Sequence, residues 1–266
     1  MTSTNIETWA EHYIRTEDLR EKLTPPPAPA DFAEGATPLR IETPGRPAEL
    51  VVTTRAKKAP KRGAFVDPRR RAEILHRFFH HELQAAELML WALLAFPETP
   101  KAFRRGLVQI AHDEIRHANL YLARVVELGC TITDFPVRDW FWQRIPACTT
   151  PSEFVAVMGM GLEAANLDHA ERYELLFREL GDEPTAQLQA RVHEEEIPHV
   201  RFAMHWLGRF EGDSYSGDSR FAAWSARLPA PLSPWVMKGT PLAREARRRA
   251  GFDDTFLDAL EAYRPE

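Results

Sequence analysis

Two Glu-x-x-His motifs, each preceded by a single glutamate at nearly the same distance, are the residues of this chain best suited to chemistry. One glutamate lies 32 residues before its motif and the other lies 33 residues before its own. Four carboxylates and two imidazoles on four helices are the ligand set of a dinuclear metal site in a helical bundle. Oxygen and imidazole nitrogen ligands suit iron and manganese, and the pattern offers no thiolate. The predicted metal ligands are Glu82, Glu114, His117, Glu163, Glu196 and His199.

The spacing of these residues also predicts how the helices pair. The midpoint between Glu82 and His117 falls in the segment 96–100, which contains two prolines, and the midpoint between Glu163 and His199 falls at Gly181. Proline and glycine at these points indicate helix–helix turns. Each arm would then be about 16 residues long, or roughly 24 Å. Glutamate and histidine three residues apart share a helical face, so each hairpin would gather its three ligands near mid-helix.

Two further acidic positions compete with this assignment. Glu87 follows Glu82 by five residues, which places it roughly 140° around the helix, so both cannot point at one centre. The midpoint of the hairpin favours Glu82. A third motif, Glu73–His76, has no matching glutamate and is interpreted as a surface pair early in its helix.

Composition restricts the classes of protein to which the chain can belong. A length of 266 residues with 44% hydrophobic content allows one large domain with appendages, and a net charge of −5 does not indicate a nucleic-acid partner. Cys130 and Cys148 form no zinc or redox motif, which favours a reduced, cytoplasmic protein. The sequence has no signal-peptide pattern and no apolar run of about 18 residues, so we expect no membrane partner.

The hydrophobic pattern predicts an all-α chain in three parts. Residues 1–66 would form an N-terminal helix and an extended proline-rich arm. Residues 67–211 would form an antiparallel four-helix bundle with a long crossover, which is the ferritin-like arrangement. Residues 212–266 would form a helical tail packed on the bundle. The predicted long helices span residues 68–95, 99–129, 151–181 and 184–210, and a last helix spans 253–263.

Several sequence strings resemble a known group of proteins. They are HELQAAEL, DEIRH, GLEAANLD and EEIPHV. With them the chain resembles the ferritin-like di-iron carboxylate superfamily, and most closely its uncharacterised bacterial branch, a domain of unknown function. The resemblance implies that the six residues above bind Fe/Fe or Mn/Fe. It also implies reaction with dioxygen or peroxide.

The resemblance suggests roles for three neighbouring residues. Asp113 and Glu195 each precede a ligand glutamate, where an acid of this superfamily accepts a hydrogen bond from a ligand histidine of the other pair. A solvated helix charge is the alternative for both. Tyr121 lies one turn beyond His117, where it would donate a hydrogen bond or carry a radical, and core packing is its alternative.

Two unusual features lie within the predicted helices. Pro198 stands inside the second motif, where it predicts a kink or a π-bulge. Gly159 and Gly161 precede Glu163, and they indicate either room for oxygen or substrate, or close helix packing.

These observations lead to three functional hypotheses. The first is a dinuclear Fe/Fe or Mn/Fe oxidoreductase that oxidises or hydroxylates a small substrate. It would draw electrons from an external donor, because no rubredoxin-like cysteine motif is present. The second is a ferroxidase or metal-handling protein. The third, a metal-free binding module, is disfavoured because unpaired buried carboxylates are costly. The oligomeric state stays open, with a homodimer as one alternative.

Overall fold

The computed structural model describes residues 5–55, 60–212, 215 and 220–265. The described chain is all-α and contains no strand, which confirms the prediction of an all-α chain. No helix in these ranges is long and apolar enough to cross a membrane. The chain divides into two compact units, residues 1–146 and 147–266.

Two long helices dominate the first unit. α1 spans Ile6–Arg15, α2 spans Leu19–Leu23, α3 spans Pro68–Ala95 and α4 spans Lys101–Glu127, with a 3₁₀ turn at Arg62–Val66. α3 begins where the Asp67 carboxylate caps the Arg69 amide and proline occupies the first turn. It ends before Pro97, and the short segment that follows lets α4 return and pack against α3. The predicted hairpin is therefore present.

The segment before α3 lies partly against that helix. α1 packs on α3, the Trp91 indole donates to the Ile41 carbonyl at 3.0 Å, and the Leu39 amide donates to the Leu94 carbonyl at 2.9 Å. The apolar segment 50–54 could form a short strand by its sequence, but it makes one parallel bridge, between Val52 and Val137. The side chains of Val51 and Val52 are exposed, so this part of the arm does not bury its apolar residues. The arm also contains a run of basic residues, Arg55, Lys57, Lys58, Lys61 and Arg62, of which Lys57 and Lys58 lie outside the described residues.

The second unit contains a hairpin of similar construction. α5 spans Pro151–Val157, a π-helical segment spans Met158–Glu163, α6 spans Ala164–Glu179 and α7 spans Glu183–Glu211. Thr150 caps α5 and Asp182 caps α7, each with proline in the first turn. Gly181 adopts a φ of 73°, a conformation that favours glycine at the end of a helix. A 3₁₀ turn at Ile145–Ala147 stands where the two units join along the chain.

The irregular helix appears at a different place from the one expected. α7 continues as an α-helix through Pro198, so the predicted π-bulge at that residue is wrong. The π-helical segment instead ends at Glu163, in the stretch that contains Gly159 and Gly161. A Cβ on Gly159 would lie 2.1 Å from the Ala203 Cβ, and one on Gly161 would lie 2.5 Å from the Met237 sulfur. The two glycines therefore allow close packing, and they do not open space for a ligand.

The tail of the second unit is fixed by a buried ion pair. It contains α8 (Arg220–Ser225), a 3₁₀ turn (Pro234–Met237), α9 (Arg244–Ala250) and α10 (Asp254–Ala262). The Asp168 carboxylate accepts two hydrogen bonds from Arg247, at 2.9 and 2.7 Å, and further bonds from the amides of Gly239 and Ala243. Both charged side chains are fully buried. This cluster attaches the tail to α6.

Candidate metal site

Three predicted ligands meet in the first unit. Glu82 lies near the middle of α3, and Glu114 and His117 lie near the middle of α4. Each of the three offers a ligand atom within 4.8 Å of the others, and all three side chains are buried. The His117 Nδ1 atom is 3.3 Å from the Glu114 Oε2 atom. This buried group of glutamate and histidine residues could hold a metal ion.

The second unit repeats part of this arrangement. Glu196 and His199 lie on one face of α7, and the His199 Nδ1 atom is 3.1 Å from the Glu196 Oε2 atom. Glu163 is buried at the end of the π-helical segment that leads into α6. Asn166, one turn after Glu163, donates to the Glu196 Oε1 atom at 3.4 Å. The Glu-x-x-His pairs of the two units thus adopt the same internal geometry.

The fit of a metal ion follows from the chemistry of these side chains. Burying carboxylates away from water is costly unless a positive charge or donors compensate it. A divalent cation supplies that charge and is bound by carboxylate oxygen and imidazole nitrogen in other proteins. The donor atoms of Glu82, Glu114 and His117 are close enough to share one ion.

Glu87 is buried on the same helix but is compensated in a different way. Its carboxylate accepts hydrogen bonds from Lys22 at 2.6 Å, from Arg46 at 2.6 and 2.9 Å, and from the Trp142 indole at 2.8 Å. Burial alone would raise the pKa of Glu87, but the charges of Arg46 and Lys22 outweigh it and hold the pKa below its usual value. Glu87 is therefore an ion-paired carboxylate in the core.

The network around Glu87 extends to a histidine. Asp139 accepts from Arg46 at 2.9 Å and pairs with His80 at 2.9 Å. Burial acts to raise the pKa of Asp139, yet the hydrogen bond from His80 and the Arg46 charge lower it to about 2. Burial also lowers the pKa of His80, which favours a neutral ring that donates from Nε2 to Asp139. None of these partners was identified from the sequence.

The third Glu-x-x-His motif differs from its prediction as a surface pair. Glu73 and His76 are both buried. Glu73 accepts from Arg70 at 2.7 Å and from Arg77 at 2.9 Å, while the His76 Nε2 atom pairs with the Ile132 carbonyl at 2.8 Å. Burial lowers the pKa of His76 to about 4. Glu73 and His76 bind different partners and do not converge on one site, so we interpret this motif as part of the packing of α3.

The three residues given supporting roles lie beside the ligand motifs. Asp113 is partly exposed and accepts from Arg116 at 3.0 Å, and Glu195 accepts from Arg191 at 3.1 Å. Tyr121 is buried, with its ring centroid 5.5 Å from that of Phe78. Their roles toward a ligand histidine or a radical stay predictions. Asn166 was not among the predicted residues, although its position three residues after Glu163 is a helical signal that would have identified it.

The chain belongs to a protein family whose model covers nearly its whole length. The family is described as "Protein of unknown function (DUF455)", and its model matches residues 3–258. No curated protein and no solved structure matches the chain. The family therefore covers both units and both Glu-x-x-His groups, and the function has to be inferred from the residues themselves.

Proposed function

We propose that this protein is a dinuclear metal carboxylate protein of the ferritin-like four-helix class, which uses dioxygen or peroxide to oxidise or hydroxylate a small substrate. The observation that carries the proposal is the buried group of Glu82, Glu114 and His117, whose ligand atoms lie within 4.8 Å of one another. The matching pair in α7, Glu196 and His199, supports a second set of ligands that includes Glu163.

The two ligand groups are complementary to hard and borderline cations. Four carboxylates would neutralise the charge of two divalent ions, and two neutral imidazoles would complete the donor set. The ions would be Fe/Fe or Mn/Fe. When bound, such ions would supply the electrons that reduce dioxygen or peroxide.

The protein's own contribution would be to hold these ligands in a dry environment. All three ligands of the first unit are buried at the middle of α3 and α4, so the helices limit their motion and exclude water. The His117 and His199 rings each present Nδ1 to the glutamate of their own motif, at 3.3 and 3.1 Å. A repeated oxidation cycle would require an external electron donor.

An oxygen-uptake experiment tests the proposal. The protein is loaded anaerobically with ferrous iron, or with iron and manganese, and oxygen consumption is recorded after mixing with aerated buffer and ascorbate. We expect uptake by the wild type, and its loss in Glu82→Gln and in Glu163→Gln. Glu73→Gln is the matched control, because it alters the structural motif, and it should retain uptake.

The time course separates the oxidase from a metal-handling protein. Uptake that continues beyond the amount of bound metal while ascorbate is present supports an oxidase. In a parallel sample without ascorbate, ferrous iron added beyond two ions per chain that is oxidised and retained as ferric iron favours a ferroxidase. Metal-loaded wild type that consumes no oxygen, or equal uptake by the wild type and both ligand variants, contradicts the proposal.

A further inference from the structure

A small cavity in the first unit is lined by an excess of basic side chains. Its volume is about 190 Å³, and its described lining contains no acidic residue. Sites for drug-sized ligands are larger, roughly 300–1,000 Å³, so only a small molecule would fit. The basic lining residues are Arg55, Arg77, Arg138, His80 and His81.

The walls of the cavity are held by specific hydrogen bonds. The Thr53 amide donates to the Val137 carbonyl at 2.8 Å, and the Val137 amide donates to the Val51 carbonyl at 2.9 Å. The Gln84 side chain donates to the Arg138 carbonyl at 3.3 Å and accepts from the Phe141 amide at 3.1 Å. The two segments that form the cavity are thus joined to each other and to α3.

Two of the arginines lack a carboxylate partner within the described ranges. The side chain of Arg138 makes one hydrogen bond, to the Gln143 amide oxygen at 3.2 Å. Arg55 forms no ion pair with a described residue, and only its backbone amide is bonded, to the Thr53 hydroxyl at 3.2 Å. Arg77 differs, since it pairs with Glu73 at 2.9 Å. His80 is likewise paired, with Asp139 at 2.9 Å. The positive charge available to an anion in this cleft is therefore that of Arg138 and Arg55.

Apart from Thr53, the remaining lining is apolar. Pro136, Val137 and Trp140 contribute to it. The guanidinium of Arg144 lies 3.9 Å from the Trp140 ring centroid, which fixes the indole. An occupant would therefore combine an anionic group with a small apolar or aromatic part.

We propose that this cavity is a binding site for a small organic anion whose carboxylate or phosphate group is held by Arg138 and Arg55. The planar guanidinium group matches both oxyanions and can bind either through two parallel hydrogen bonds. The apolar part of the ligand would lie against Trp140. Binding at this site does not require the metal ions proposed above.

Isothermal titration calorimetry at constant ionic strength tests the site. Benzoate and phenyl phosphate are the two anionic probes, and benzamide is the neutral control with the shape of benzoate. We expect saturable binding of at least one anion and none of benzamide. The stronger of the two anions identifies whether a carboxylate or a phosphate is preferred.

Variants assign the binding to the cavity. Arg138→Gln should weaken binding of the anion by at least about tenfold, because a hydrogen bond between charged groups is lost. Arg55→Gln should weaken it as well, and this exposed position carries little risk to folding. Arg209→Gln, an exposed arginine in the second unit, is the control and should bind as the wild type does. Circular dichroism checks that each variant is folded.

Three results would overturn the assignment: no saturable binding of either anion, equal affinity for benzoate and benzamide, or equal affinity in the Arg55, Arg138 and Arg209 variants. Metal content, measured on the same samples, is a separate readout. Loss of anion binding in Arg138→Gln with unchanged metal content therefore supports the cavity independently of the metal site. Absence of metal with intact anion binding counts against the proposed function alone.

Discussion

Replacing Glu87 by glutamine should destabilise the first unit strongly without removing metal. The carboxylate is fully buried and compensates Lys22, whose side chain is also fully buried, and Arg46. Glutamine keeps the shape but removes the charge. Among the described residues, Lys22 would then lose its carboxylate partner and keep its hydrogen bonds to the carbonyls of Tyr13 and Ile14. Breaking a buried ion pair from one side costs about 3–5 kcal/mol. Arg46 would still pair with Asp139, so we expect a loss of stability at the lower end of this range, about 3 kcal/mol.

The pH dependence of this loss has a definite sign. The pKa of Glu87 is lower in the folded protein than its usual value, since the charges of Arg46 and Lys22 outweigh burial. The ion pair therefore contributes fully above the pKa of the unfolded glutamate and is lost as the pH falls through the folded pKa. The difference between wild type and Glu87→Gln should be largest near pH 7 and should shrink below about pH 4.

Urea unfolding followed by far-ultraviolet circular dichroism measures the effect, together with metal analysis of the folded protein. Glu127→Gln is the control, because its side chain is exposed and pairs only at the surface, and it should change stability by less than about 0.5 kcal/mol. The reasoning is refuted if Glu87→Gln is as stable as Glu127→Gln. Loss of metal in Glu87→Gln at wild-type stability would instead make Glu87 the ligand on α3.

Three further predictions concern packing and pH. Gly159→Ala should cost about 1–3 kcal/mol in the same unfolding assay, and Ala203→Gly should restore most of it, because the added Cβ would meet Ala203 at 2.1 Å. Asp168→Asn should lower the melting temperature and make the tail sensitive to protease, since Arg247 would remain buried without its counter-charge. Burial holds the pKa of His76 at about 4 in the folded protein, so its protonation favours the unfolded state. The free energy of unfolding should therefore fall by up to about 3 kcal/mol between pH 6.5 and pH 4, and His76→Gln should reduce this dependence on pH.

The long helices could be predicted from sequence because their signals are local. Proline at position 68 and the breaker at 96–100 delimit α3, and the structure places it at Pro68–Ala95. The ligand positions follow from helical spacing in the same way, and the proximity of Glu82, Glu114 and His117 agrees with that spacing. The spacing between each glutamate and its Glu-x-x-His motif is repeated in the two hairpins, and this spacing predicts which side chains lie at the same height.

The polar network around Glu87 was not predictable by such reasoning. Lys22 lies 65 residues from Glu87 in sequence and Arg46 lies 41 residues away, so no local periodicity connects them. The π-helical segment before Glu163 depends on tertiary packing of Gly159 against Ala203, and propensity alone does not reveal it. Pro198 was the more obvious local signal for an irregular helix, yet α7 remains an α-helix at this residue.

Metal stoichiometry of purified protein tests the central claim most directly. After expression in medium rich in iron and manganese, elemental analysis should give close to two metal ions per wild-type chain. Glu114→Gln combined with His117→Gln, and Glu196→Gln combined with His199→Gln, should each fall well below two. The same double change in the third motif, Glu73→Gln with His76→Gln, should leave the content of folded protein at two. Wild type without metal, or full metal in both ligand-pair variants, would contradict the account.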